Sequence, residues 1–186
     1  LVGSVMCIRD RKKESIKGQI ELILKSGQQM EFKLLDLFQI VHKPTLQCKD
    51  MVPVVSAKKH DNGISGYKVA DDGLVYKQGN FVFIMQGQGG AGIVHYLREP
   101  FLVTNSTKVL QPLFELDDIT NEYIAGELSG RFKKKYSRSN NWSGSKMKND
   151  TVQFPCTKEG KLCSETFEKI RNVFVSHQVN AFEKKN

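Results

Sequence analysis

The chain has 186 residues, with 28 Lys and Arg against 20 Asp and Glu, for a formal net charge of +8. That length can bury a core as one domain with an appended element, and needs no staples to do so. No apolar run approaches the ~18 residues of a membrane span, and the basic balance favours a polyanionic partner, nucleic acid or acidic lipid.

In chain order, residues 1–11 (LVGSVMCIRDR) carry no periodic pattern and look like translated adapter read-through. They read as a non-native leader, which leaves room for a gene that extends upstream. Residues 12–30 hold a short amphipathic piece, Ile16–Leu24, expected as a linker or a helix end. Glu31–Val41 (EFKLLDLFQIV) reads as a strand entry, a helical turn over Leu34–Phe38, and a strand leaving through Ile40-Val41. Val52–Ser56 is a strand, Lys58–Gly63 a polar loop, and Ile64–Ala70 a strand that Asp71-Asp72-Gly73 turns.

The stretch Asn80–Pro112 is the frame. Phe81–Met85, Ile93–Leu97, Phe101–Thr104 and Thr107–Leu110 are β-former runs punctuated by Gly, Pro and Asn, as in an antiparallel sheet with tight connections. The hexad Gly87-Gln88-Gly89-Gly90-Ala91-Gly92 satisfies G-x-G-x-x-G. In a dinucleotide site that pattern opens a helix whose N–H groups meet a pyrophosphate. Here β-branched and aromatic residues follow, and no acid ends a second strand about twenty residues on, so a glycine hairpin is expected.

Beyond the frame, Asp117-Asp118 stand where an N-cap and a dipole-complementing acid belong, and Ile119–Leu128 continues as a helix that Gly130 interrupts. Arg131–Asn149 (RFKKKYSRSNNWSGSKMKN) is a loop with seven Lys or Arg and no acid, the sharpest charge asymmetry in the chain. Thr151–Cys156 is a last strand. Ser164 then caps a final helix with Phe167, Ile170, Phe174, His177 and Ala181 on one face and Lys184-Lys185 at its end. The expected fold is α+β: a twisted, mostly antiparallel sheet with short helices and a long C-terminal helix.

Catalytic chemistry is thinly supplied. His42, His60, His95 and His177 are scattered without an H-x-x-x-H pair, and Gly63-Ile64-Ser65-Gly66 lacks nucleophile-elbow spacing. Cys7, Cys48, Cys156 and Cys163 form no C-x-x-C pair. With no secretory signal, they read as free thiols in a reducing cytoplasm. No metal or cofactor site is expected.

Four blocks, taken together, resemble target-recognition domains of type I restriction–modification specificity subunits and their type IIG relatives. Phe32–Phe38 resembles the opening F-x-L-x-D-L-F. Val52–Tyr67 resembles a strand, a polar loop and N-G-I-x-G-Y. Gly79–Pro112 resembles the glycine hairpin and the block P-F-x-x-T/S-x-x-x-x-V-L-x-P, and Tyr136–Gly160 a basic loop before a strand and long helix. The resemblance covers residues 31 to the C-terminus. It departs at the hairpin, where many relatives carry a basic residue and Asn-Gly and this chain has Gln86-Gly87-Gln88-Gly89.

The resemblance implies a DNA target-recognition domain over residues 31–162. It also implies a C-terminal helix, 163–186, that begins a spacer or dimerisation element against a second recognition domain or a second copy. The implied partners are double-stranded DNA, an N6-adenine methyltransferase subunit and an endonuclease subunit. S-adenosylmethionine, and ATP with Mg in type I systems, would be bound by those subunits. The chain would be a recognition component without catalytic residues of its own. An alternative is the C-terminal recognition fragment of a bifunctional restriction–methyltransferase enzyme whose catalytic domain lies upstream, and a third reading is a basic RNA-binding module.

Residue chemistry then names the expected contacts. Lys133, Lys134, Lys135, Arg138, Lys146 and Lys148 can neutralise phosphates. Arg138, Asn140 and Asn141 carry groups that read base edges bidentately, and Tyr136 or Trp142 could stack or wedge against DNA. The plainer reading is a solvated basic loop on which Trp142 packs inward. Lys58, Lys59, His60 and Asn62 form a second polar cluster on a loop, where binding residues concentrate. Asn105, Ser106 and Lys108 beside a sheet edge are better explained by strand-turn chemistry.

Overall fold

A computed structural model describes residues 15–87 and 90–183, with side chains through residue 178. The leader, Gln88, Gly89 and Lys184-Lys185 lie outside the described residues, as does the Ala181 side chain. In chain order the elements run α1 (Ile16–Ser26), β1 (Gln29–Lys33), α2 (Leu34–Leu37), β2 (Phe38–Val41), β3 (Leu46–Gln47) and β4 (Met51–Val55). A 3-10 turn (Asp61–Gly63) precedes β5 (Ile64–Val69), β6 (Leu74–Val75), β7 (Asn80–Ile84), β8 (Val94–Leu97), β9 (Leu102–Val103) and β10 (Thr107–Pro112). Then come α3 (Asp118–Lys135), α4 (Gly144–Met147), β11 (Thr151–Pro155) and α5 (Ser164–Glu183). The chain divides into two compact units, Met30–Phe154 and the two terminal pieces together, and its sheets are open and mostly antiparallel, an α+β fold.

In the larger unit the central sheet has the order β2-β10-β7-β8, antiparallel throughout. Its middle strand β7, with sequence NFVFI, is buried at every position, so both faces of the sheet must be covered. Register sorts the two faces. Val41, Val109, Val82 and His95 align in one row, and Ile40, Leu110, Phe81 and Tyr96 in the next. Val41, Val109 and Val82 of the first row pack into a cluster with Val55, Leu97 and Phe101. On the other face Phe38 meets the edges of Phe81 and Phe83 at 5.0 and 5.8 Å between centroids. Each such buried ring contributes about 1.5–3 kcal/mol by leaving water.

Helix α3 follows from its sequence. Asp117 accepts from the backbone N–H groups of Ile119 and Thr120, at 3.0 and 3.1 Å, as an N-cap should. Thr120, Asn121, Ile124, Ala125, Leu128 and Phe132 form its buried stripe. The helix runs unbroken to Lys135, which corrects the expected interruption at Gly130. That glycine faces solvent with open space where a side chain would be, and costs helix propensity without breaking the hydrogen-bond ladder. Lys133, Lys134 and Lys135 therefore belong to a helix end, where cations also complement the dipole.

The sheet is more divided than the sequence suggests. A second sheet, β5-β4-β9, pairs β4 antiparallel with β5 and parallel with β9. The two-residue strands β3 and β6 pair with each other, and β1 pairs with β11. Strand β5 is an edge whose residues are almost all exposed.

In the terminal unit, α1 and α5 pack together. Ile20 is buried on α1, and Phe167, Ile170 and Val173 on α5. Gln19 Nε2 lies 3.4 Å from His177 Nε2, and the Cys156 N–H donates to the Gln28 carbonyl. Ser164 is the first residue of α5, and the carbonyl of Cys163 before it accepts from the Phe167 N–H.

Candidate nucleic-acid interface

The residues singled out from sequence meet at one end of the β7–β8 hairpin. As the chain leaves β7, the Met85 N–H donates to the Ser106 carbonyl at 2.9 Å, and the Met85 carbonyl accepts from the Trp142 N–H at 2.8 Å. One residue thus ties the 104–107 turn and the segment after α3 to the hairpin.

The glycines make the next junctions. A Cβ on Gly87 would lie 2.6 Å from the Ala57 Cβ, and one on Gly90 would lie 2.7 Å from the Ala57 carbonyl oxygen. Gly92, at φ +86, would place a Cβ 2.5 Å from the Phe132 carbonyl carbon and oxygen and 2.7 Å from Lys133 N. Only a bare backbone fits there. Gly87 and Gly90 therefore meet the start of the 57–63 loop, and Gly92 the C-terminal turn of α3.

Strand β8 holds both segments. On the α3 side, Ser129 Oγ accepts from the Val94 N–H at 2.8 Å and donates to the Val94 carbonyl at 3.0 Å. The Tyr96 hydroxyl donates to Asp118 at 2.7 Å, and burial with that carboxylate pushes its pKa up to about 12. On the other side, buried His95 sets Nε2 3.2 Å from the Lys58 carbonyl, so the nitrogen facing that oxygen carries the proton. Burial holds the imidazole below its ordinary range, and the Lys58 carbonyl opposes this more weakly.

Within the 57–63 loop, Asp61 and Asn62 both adopt left-handed backbone, a conformation that short polar side chains tolerate. The Asn62 amide donates to the Tyr96 carbonyl at 3.0 Å, so it anchors the loop. Lys58 donates to Asp61 at 2.7 Å, which draws the Asp61 carboxyl below its usual range, and to the Ile64 carbonyl at 3.3 Å. Lys59 and His60 stand exposed at the outer bend.

Beyond α3 the expected aromatic contacts prove to be interior. Tyr136 and Trp142 are 3% and 2% exposed and stack on each other at 5.1 Å and 18°. Trp142 also packs on Phe132 and Phe83, at 4.5 and 5.0 Å. Neither ring is open to a base, which corrects the stacking or wedging role; large rings whose polar tips find partners are stable inside.

Those partners are the oxygens of Asp150, fully buried and not expected from sequence. It accepts from the Tyr136 hydroxyl at 2.8 and 2.9 Å, Trp142 Nε1 at 2.6 Å and Lys135 Nζ at 2.7 Å. Burial and this carboxylate push the Tyr136 hydroxyl well above its ordinary pKa. The only available signal was that Asp150 is the first acid after the acid-free run.

The remaining residues divide by what they touch. The Asn140 amide donates to the Lys135 carbonyl at 2.9 Å, and its oxygen accepts from Lys146 Nζ at 2.5 Å. Lys146 also donates to the Asn141 carbonyl at 2.6 Å. The Asn141 amide, with its nitrogen toward them, donates to the Arg138 and Ser137 carbonyls at 3.2 Å each. These groups build the loop. Lys133, Lys134, Arg138 and Lys148 are exposed, and among the described residues none of them forms a side-chain ion pair. Lys108 joins the same end: a Cβ on Gly144 would sit 3.9 Å from its Cε. Among the described residues no group of three or more His, Cys, Asp or Glu could hold a metal, and no helix is long and apolar enough to cross a membrane.

No family model and no curated protein matches the chain. Solved structures do match in fold. The S subunit of a type I restriction-modification system from M. genitalium superposes with a TM-score of 0.58 at 14% identity, over 89% of this chain and 43% of that one. The HsdS subunit from Thermoanaerobacter tengcongensis gives 0.56 at 11% identity, over 91% and 45%. A structure described under complex assembly and conformational transition of the type I R-M system gives 0.57 at 11%, over 90% and 45%. The fold is that of these S subunits, and the chain spans under half the length of each.

Proposed function

We propose that this chain is a DNA target-recognition domain of a restriction–modification specificity subunit, gripping one part of a duplex target. The observation that carries the reading is convergence. The 57–63 loop, with exposed Lys59 and His60, and the end of α3, with exposed Lys133 and Lys134, both meet the described glycines of one loop, and Arg138 and Lys148 are exposed in the segment that follows, on a fold shared with S subunits. Exposed cations on neighbouring segments can neutralise successive phosphates, whereas a basic run spread round the surface could not.

On this reading the chain performs no chemistry. It works in the cytoplasm and positions DNA for a partner N6-adenine methyltransferase and an endonuclease, which carry S-adenosylmethionine, ATP and Mg. Electrophoretic binding to a pool of random duplexes, with and without the methyltransferase subunit, tests it. Enrichment of a discrete motif is the expected result. Equal retention of RNA and of every duplex, varying with salt alone, would replace it with a general polyanion binder.

A further inference from the structure

We infer that Arg138 is the specificity-determining residue of the 136–142 segment, reading the O6/N7 edge of a guanine in the major groove; this rests on the duplex-binding reading above. The first argument is elimination. Asn140 and Asn141, the other side chains there suited to bidentate base reading, have their amides committed to the Lys135, Ser137 and Arg138 carbonyls and to Lys146. Lys135 is neutralised by Asp150, and Tyr136 and Trp142 are buried.

The second argument is the mount. Ser137 and Asn140 exchange reciprocal backbone hydrogen bonds, at 3.1 and 3.2 Å, which puts Arg138 and Ser139 at the tip of a tight turn. Ser137 Oγ braces the turn against Ser139 Oγ at 3.1 Å and the Asn140 N–H at 3.3 Å. Lys146 Nζ clamps its base, over the Tyr136 ring that stacks on Trp142. A phosphate contact needs no such mount, because a lysine on a flexible stem serves as a point charge. Bidentate recognition does need one: a planar guanidinium must arrive in one orientation, and a fixed backbone lowers the cost of holding it. The acid beside the turn, Asp150, is saturated by Lys135, Tyr136 and Trp142, which leaves the guanidinium free for a ligand.

Selection from random duplexes by the full chain tests this, comparing wild type with Arg138→Ala, Arg138→Lys and Lys133→Ala. Emission of the sole tryptophan, Trp142, checks that each variant keeps its packing. Wild type should select a motif containing a guanine column. Both Arg138 variants should lose about ten- to a hundredfold of the preference at that column and keep the others. Lys133→Ala should bind more weakly everywhere with the motif unchanged. If wild type selects a motif and Arg138→Ala retains every column, the inference is wrong and Arg138 is a phosphate contact; if Arg138→Lys keeps the guanine column in full, the bidentate reading is overturned, because a point charge then suffices. If wild type selects no motif, the duplex-recognition reading itself fails and the assignment of Arg138 falls with it.

Discussion

At the scale of single residues, Asp150 decides whether the basic segment is a structure or a tail. Its carboxylate satisfies two buried donors and one lysine, and each buried donor left unpaired costs about 1–3 kcal/mol. Asp150→Ala should therefore lower unfolding stability by about 3–5 kcal/mol, with the Trp142 emission shifting red as the ring meets water; urea titration read by that fluorescence checks both. His95 gives a pH dependence. Its folded pKa lies below the ordinary 6.5 because burial disfavours the charged form. Below pH 6.5 the unfolded chain takes up a proton that the folded chain resists, so stability falls as pH drops toward the depressed folded value and then levels off. Urea midpoints at pH 7.5 and 5.5 should differ in that direction, and His95→Gln should shrink the difference. Asp150 was not legible as such, and His95 read from sequence only as a sheet-surface or core histidine, without its partners. A lone acid after a basic run, or a histidine among β-formers, reveals its partners only once the chain has brought distant segments together.

At the scale of elements, the strands of the frame, the turn at Leu34–Leu37 and the Asp117 cap were readable because each is signalled by neighbours in sequence. The end of α3 was not, because Gly130 reads as a breaker unless one knows that it faces water. The two helix and hairpin glycines make opposite predictions. Gly130→Ala meets nothing within 4 Å and should raise stability by about 0.5–1 kcal/mol. Gly92→Ala would drive a Cβ into the Phe132 carbonyl from a left-handed backbone, and should cost about 2–4 kcal/mol. Thermal unfolding of the pair, measured side by side, checks the contrast. The strands β3 and β6 escaped notice for a different reason: two residues are too few to show an alternation.

At the scale of the molecule, only some of the 28 Lys and Arg behind the net charge of +8 bear on the candidate interface. Near the glycine loop Lys58, Lys135 and Lys146 are committed to oxygens of the protein, which leaves Lys59, Lys133, Lys134, Arg138 and Lys148, with Lys108 beside them. Duplex affinity should fall with salt at a log–log slope of about −3 to −5, well short of what the whole basic run would give. Binding isotherms across a range of chloride concentrations measure it. What the sequence could show was which segments carry charge; which charges remain after folding was settled by the acids and carbonyls that tertiary packing delivers. Strand β8 adds one last consequence. Because neighbouring residues of that one strand hold the two arms, Val94 and the Tyr96 hydroxyl toward α3 and His95 and the Tyr96 carbonyl toward the 57–63 loop, the spacing between them is set like the jaws of a caliper that has no screw. New targets would then arise by exchanging the tips, residues 59–60 and 138–139, whereas a footprint of different width would call for a different scaffold.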